Sequence, residues 1–148
     1  MDSSDLPDLY LVQQEIPTPR LEHVAATLTE KLEASPLTGK VRRGDRIAIT
    51  AGSRGIRDMA EVLRGLVHRF RRLGAEPFIA PAMGSHGGAT ASGQVEVLRH
   101  LGIEEKTVGA PIVSSMDVVE VGRLKGDIPV LVGKDFKEAD RIVVVNRI

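Results

Sequence analysis

Apolar residues in the middle of the chain recur with the period of an amphipathic helix. Between residues 56 and 73 they lie three, four and seven positions apart, which predicts a helix with one buried face. Gly74 is placed to end this helix. The predicted buried face consists of Ile56, Met59, Ala60, Leu63, Leu66, Val67, Phe70 and Leu73.

Short apolar segments on either side of this helix have the composition of buried strands. "RIAIT" (46–50) precedes the helix and "EPFIAPA" (76–82) follows it. A further helix is predicted over 91–101, with Gly102 at its end. The order strand, helix, strand, helix predicts a right-handed βαβα unit, and such units form parallel sheets covered by helices.

The flanking segments carry four further predictions. "LYLVQQEI" (9–16) is predicted to be a strand, and 21–34 is predicted to be a helix with one apolar stripe. "VVEVGRL" and "IPVLVG" flank "KGD" near the carboxyl end, which predicts a β-hairpin. "RIVVVN" (141–146) shows no polar alternation, so we expect a strand covered on both faces.

These elements together predict one α/β domain over residues 1–148. We expect a three-layer, Rossmann-like arrangement, with a parallel or mixed sheet flanked by helices. The chain stops directly after an apolar strand, where an open α/β sheet normally continues into a ligand-binding loop. We therefore expect it to be a piece of a longer, two-domain protein.

Composition excludes several classes of site. The chain has no cysteine, which excludes disulfides, thiolate metal sites and thiol nucleophiles. Lys+Arg and Asp+Glu both number 20, a balance that gives no support to a nucleic-acid or membrane partner. The polar, acidic start is not that of a signal peptide, so a cytoplasmic location is predicted.

Two glycine-containing loops follow the two neighbouring strands, "TAGSRGI" (50–56) and "AMGSHGGAT" (82–90). We expect both to line one crevice at the carboxyl edge of the sheet. Their glycines let backbone amides approach a ligand, and each loop leads into a helix amino terminus, which favours an anion. The predicted ligand is a phosphate or a carboxylate. Candidate binding residues are Arg54, Ser85, Gly87, Gly88 and Thr90. The alternative is that both loops are only turns or helix caps.

His86 is the candidate for proton transfer, because an imidazole titrates near neutral pH and can take and return a proton. The alternative is a capping or surface histidine. His23, His68 and His100 are predicted to be solvated, and no histidine or carboxylate spacing indicates a metal site. The arginines of the 56–73 helix are predicted to form a solvated face rather than a nucleic-acid contact. They are Arg57, Arg64, Arg69, Arg71 and Arg72.

The motifs "PAMGSHGGAT…GQ…LGI", "ITAGSRGI" and "ADRIVVVNRI" resemble the amino-terminal domain of the lactate racemase family. These are the nickel-pincer-dependent racemases and epimerases of 2-hydroxy acids. The resemblance covers most of the chain from about Asp45 onward. It implies a cofactor, a pyridinium mononucleotide that holds nickel, which accepts a hydride from the substrate α-carbon and returns it to either face.

The resemblance also implies roles for individual residues. His86 falls on the motif histidine, so it would exchange the proton of the substrate hydroxyl. Gly52, Ser53 and Arg54 fall on a cofactor-contacting segment, and Arg54 would pair with the cofactor phosphate or a substrate carboxylate. Ala51 stands where lactate racemase has an aspartate, and this difference counts against lactate itself as the substrate.

In relatives, a second proton-exchanging histidine, a cofactor-bonding lysine and a nickel-binding histidine follow the last strand. This chain ends before all three, so the resemblance implies an isomerase in the full-length protein that these residues alone do not complete. The implied partners are a small 2-hydroxy acid and the protein's own carboxyl-terminal domain; oligomeric state stays open. The alternative function is a non-catalytic module that binds a nucleotide or another anion.

Overall fold

The structure is a computed structural model that describes residues 10–15 and 21–146. It is a mixed α/β fold, with a three-stranded parallel sheet flanked by helices and a separate antiparallel hairpin. The helices are α1 (Val24–Ala34), α2 (Met59–Arg72), α3 (Ala91–His100), α4 (Glu105–Val108) and α5 (Lys134–Lys137). The strands are β1 (Arg46–Ala51), β2 (Glu76–Pro81), β3 (Val118–Leu124), β4 (Ile128–Gly133) and β5 (Arg141–Val143). Short 3₁₀ helices span Thr38–Lys40 and Gly87–Ala89.

β1 is the centre of the parallel sheet, in the order β2-β1-β5. Ile47 lies opposite Pro77 of β2 and Arg141 of β5. Alternate residues of a strand point to opposite faces, and β1 accordingly contributes to two apolar clusters. Ile47 and Ile49 pack with α2 on one face, and Ala48 packs near Phe136 of α5 on the other. The predicted layered α/β architecture is confirmed.

α2 supplies the largest helical contribution to the core. Met59, Leu63, Leu66, Val67 and Phe70 are all buried, as the apolar spacing predicts. Burying one such side chain stabilises the fold by about 1.5–3 kcal/mol relative to leaving it in water. α2 begins at Met59, three residues later than predicted, because the backbone of Asp58 is left-handed, with φ 57°. No helix within the described ranges has the length and apolarity to cross a bilayer.

The strand predicted over 9–16 is wrong for the residues that the structure describes. Residues 10–15 have no secondary structure and are exposed, while residues 9 and 16 lie outside the described ranges. A strand needs a neighbour for its backbone amides and carbonyls, and none of the described strands pairs with this segment. The apolar composition of this segment carried no information about that pairing.

The prediction that 141–146 is covered on both faces is also wrong. The strand is only three residues long, and Ile142 and Val144 are 50% and 70% exposed. Val143 and Val145 pack against the core instead. One face of this segment therefore meets the core and the other meets solvent, because alternate residues of a strand point to opposite faces.

The predicted hairpin near the carboxyl end is confirmed. β3 and β4 pair antiparallel, with Leu124 opposite Ile128. Gly126 and Asp127 both have positive φ, 85° and 62°, the conformation that a tight hairpin turn requires. Arg123 bonds the side chain of Asp127, which supports the turn.

Candidate functional site

A cavity of about 550 Å³ lies at the carboxyl edge of the parallel sheet. All three strands of that sheet run in one direction, so the segments that follow them meet at this edge. Each of the three segments contributes to the wall. The lining residues are Gly52, Ser53, Arg54, Ile56, Ala82, Met83, Val145 and Asn146. The sequence-based expectation that the first two loops converge is confirmed.

A side-chain hydrogen bond joins the two predicted loops. The Ser53 hydroxyl oxygen lies 2.5 Å from Nδ1 of His86, although 33 positions separate the two residues. His86 itself is exposed and is not among the residues that line the cavity. It therefore lies beside the cavity and is connected to it through Ser53.

The loop that carries His86 is fixed at several points. The backbone amide of His86 donates to the carbonyl of Met83 at 3.3 Å. The side-chain amide of Gln94, a residue only 6% exposed, donates to the carbonyl of Gly84 at 2.9 Å. A buried amide that bonds a loop carbonyl holds that loop against the helix carrying it, here α3. Gln94 was assigned no role from the sequence, although "GQ" is part of the recognised motif.

Thr90 and Gly87 hold the amino terminus of α3. The Thr90 hydroxyl accepts from the amide of Gly93 at 3.1 Å and donates to the carbonyl of Gly87 at 3.1 Å, so Thr90 caps the helix. Gly87 has φ 68° and packs its backbone directly on Gly93. Ser85 and Gly88 are exposed. None of the four predicted binding residues of this loop lines the cavity, and the alternative reading, helix capping, applies to Thr90.

Arg54 brings a positive charge to the cavity wall. Its side chain is exposed and forms no hydrogen bond or ion pair with any residue within 10–15 or 21–146. Arg57, three positions further on, differs because its guanidinium lies 3.7 Å from the carboxylate of Asp58. Arg54 is thus the guanidinium of this loop that is available to an anionic ligand.

Ala51 and Asn146 mark where the site departs from the sequence-based picture. Ala51 is fully buried in the core, so the position of the family aspartate presents no carboxylate to the cavity. Asn146 lines the cavity but was not predicted. It follows β5 directly, and the rule that parallel strands end at one edge could have identified it.

The remaining histidines and the five arginines of the predicted 56–73 helix largely match their predicted surroundings. His23, His68 and His100 are exposed, as are Arg57 and three of the four arginines that lie in α2. Arg69 is the exception, because it lies beside α1 with its guanidinium 3.9 Å from the carboxylate of Glu33. Its Nε is buried and has no hydrogen-bond partner among the described residues. The prediction of a solvated face is wrong for this arginine alone.

Resolved pKa shifts belong to surface pairs away from the cavity. Two hydrogen bonds from Arg99 hold the pKa of Glu96 below its ordinary value, and the same contact raises the pKa of Arg99. The pKa of Arg123 is raised by its hydrogen bonds to Glu120 and, to a smaller extent, to Asp127. These pairs stabilise α3 and the hairpin and have no part in the cavity.

The cavity fits one part of the implied cofactor. A phosphate or carboxylate suits Arg54, whose fork of N–H donors matches such groups. Nickel needs several nitrogen, sulfur or oxygen ligands, and the part of the chain that the structure describes holds no group of three or more His, Cys, Asp or Glu residues that could bind a metal. Residues 21–146 could therefore contact the mononucleotide but do not supply a nickel ligand set.

Comparison with known proteins identifies no family for this chain. No protein-family model matches the chain, and no curated protein matches it. A relation to the lactate racemases depends on the "MGSHGGAT" and "ITAGSRGI" motifs.

Proposed function

We propose that this chain forms one wall of the active site of a nickel-pincer-dependent racemase or epimerase of a small 2-hydroxy acid. The observation that supports this most is the 2.5 Å contact between Ser53 and His86, beside a cavity lined by Arg54. It brings an imidazole and a guanidinium to one edge of the sheet. A proton acceptor next to a carboxylate-binding cation is what a 2-hydroxy acid requires at its two polar groups.

His86 is proposed to exchange the proton of the substrate hydroxyl. Removing a hydride from the α-carbon converts the alcohol to a ketone, and the hydroxyl proton must leave in the same reaction. Nδ1 of His86 is occupied by Ser53, and Nε2 has no hydrogen bond to any residue that the structure describes. Nε2 is therefore the atom available to take this proton and return it. The cofactor, when bound, supplies the hydride acceptor.

Arg54 is proposed to hold the anionic end of the ligand. It lines the cavity together with Gly52 and Ser53 of the same loop. The guanidinium can then pair with a substrate carboxylate or the cofactor phosphate without competing with a neighbouring acidic side chain.

Replacing His86 tests the catalytic proposal. The full-length protein, loaded with nickel and cofactor, would be given a panel of 2-hydroxy acids, and loss of optical purity would be followed by chiral chromatography. We expect His86→Ala to lower the rate by roughly 10²–10⁴-fold, the usual contribution of a general base. The matched control is His100→Gln, an exposed histidine on α3, which should keep the original rate. Near-normal turnover by a folded His86→Ala protein would exclude the proposal.

A second candidate is a non-catalytic module that binds a nucleotide or another anion. The unpaired charge of Arg54 at the cavity favours it, and so does the lack of a metal-ligand group among the described residues. Calorimetric titration with inorganic phosphate and with a mononucleotide tests this function. Arg54→Ala should abolish the binding heat. Arg57→Ala should not, because the guanidinium of Arg57 is paired with Asp58. Binding without isomerisation of any 2-hydroxy acid would select this second function.

A further inference from the structure

We propose that Ser53 is a positioning residue for His86: it bonds Nδ1 and so leaves Nε2 as the nitrogen that takes the substrate proton and returns it. This inference rests on the proposed function of His86. The resemblance alone gives Ser53 a different role, contact with the cofactor. In the structure its hydroxyl lies 2.5 Å from the imidazole instead.

The distance and the connection both favour a positioning role. The Ser53 hydroxyl oxygen and Nδ1 of His86, 2.5 Å apart, are within hydrogen-bond distance. Ser53 comes from the loop after β1, and His86 comes from the loop after β2. The bond therefore fixes the imidazole relative to the cavity wall. Without it, rotation about the side-chain bonds of an exposed histidine would move Nε2 through several positions.

The hydroxyl also suits a reaction that must run in both directions. In the proposed arrangement the Ser53 hydroxyl accepts from Nδ1–H, which leaves the lone pair on Nε2. When Nε2 takes the substrate proton, Nδ1 keeps its proton and the same hydrogen bond persists in the imidazolium. Because the hydroxyl is neutral, it favours the imidazolium less than a carboxylate would.

Ser53 as a nucleophile, with His86 as its base, is the competing interpretation. In such sites a third group usually orients the base. Here the described residues place no carboxylate in hydrogen-bond contact with His86, and Nδ1 is its one side-chain atom with such a contact. Loss of the serine hydroxyl should therefore disorder the imidazole rather than remove a covalent intermediate.

The test compares Ser53→Ala, Ser53→Thr and, as a control, Ser92→Ala, an exposed serine of α3. Nitrogen-15 NMR of the imidazole reports which nitrogen of His86 carries the proton, with no need for substrate or cofactor. We expect Nδ1–H to dominate in the unaltered protein, in Ser53→Thr and in Ser92→Ala. Ser53→Ala should convert it to a mixture of the two tautomers.

Kinetics of the full-length, cofactor-loaded protein provide the second readout. A misplaced catalytic group lowers kcat by about 10- to 100-fold, and we expect this for Ser53→Ala with little change in KM. Ser53→Thr should restore the rate. Unchanged tautomers in Ser53→Ala would overturn the inference, and so would covalent labelling of Ser53 by a phosphonofluoridate. Retained turnover in His86→Ala would instead contradict the proposed function, because the tautomer measurement does not depend on activity.

Discussion

The hydroxyl of Thr50 makes two hydrogen bonds to the backbone of Val145. It donates to the carbonyl oxygen at 3.3 Å and accepts from the amide at 2.9 Å. Thr50 lies in β1 and is only 6% exposed, whereas Val145 lies just beyond the end of β5. The sheet pairing of β1 with β5 ends at Val143, so this side chain continues the connection to the residues that line the cavity.

Thr50→Val removes the hydroxyl while keeping the shape of the side chain. The Val145 amide then loses its acceptor, and leaving such a group unsatisfied costs about 1–3 kcal/mol. We expect the free energy of unfolding in urea to fall by that amount, together with weaker anion binding in the cavity. Thr29→Val is the control, because that hydroxyl bonds a carbonyl on the exposed surface of α1. Equal stability of the two variants would contradict the proposed anchoring role.

Gly93→Ala should destabilise the protein even though Gly93 lies in a helix. In an open helix the alanine would be favoured by about 1 kcal/mol. Here the added Cβ would overlap the carbonyl oxygen of Gly87, a backbone atom that cannot move aside cheaply. Such overpacking costs about 1–3 kcal/mol. Steric repulsion therefore outweighs the helix preference of alanine, and the free energy of unfolding should fall. Thermal unfolding measures the effect, and Gly55→Ala, which meets no atom within 4 Å, is the control. A stabilised Gly93→Ala protein would show that the loop does not pack on α3 as described.

Thr90→Ala should remove the amino-terminal cap of α3. Loss of such a cap costs about 0.5–2 kcal/mol, because the Gly93 amide loses its acceptor. Thr90→Ser keeps the hydroxyl and should recover most of this stability. Chemical denaturation of both variants tests the cap. Equal loss in the serine and alanine variants would show that the methyl group, not the hydroxyl, is what matters.

Glu96→Gln should change how stability depends on pH. Hydrogen bonds of 2.8 and 2.6 Å from Arg99 keep the pKa of Glu96 below its ordinary value of 4.5. Because the pKa of Glu96 is lower in the folded state, its contact with Arg99 stabilises the protein fully at pH values above the ordinary pKa. This stabilisation is lost as the pH falls through the lowered pKa of the folded protein. The variant lacks the titrating group, so the difference in unfolding free energy between the two proteins should narrow towards acid pH.

Denaturation at neutral pH and at about pH 3, both at low ionic strength, measures this difference. Because the pair is exposed to solvent, added salt should also shrink the difference at neutral pH. A difference that stays constant across the pH range would show that the Glu96 carboxylate and Arg99 are not paired in solution.

Periodicity in the sequence was enough to locate the central elements. The apolar spacing of α2 gave its buried face, and the short apolar segments gave β1 and β2, because both patterns arise from the local geometry of helix and strand. The "KGD" turn gave the hairpin for the same reason. Convergence of the two loops also followed, since parallel strands end at a common edge.

Only the tertiary structure decided which side of an apolar segment meets the core and which polar groups meet each other. Ile142 is exposed because it lies on the face of β5 opposite to Val143, which packs against the core, and no property of its own segment reveals that. The hydroxyls of Ser53 and Thr90 are chemically alike, yet one bonds an imidazole beside the cavity and the other caps a helix. A hydrogen bond needs its two atoms within about 3 Å, and distances across the chain are set by packing rather than by composition.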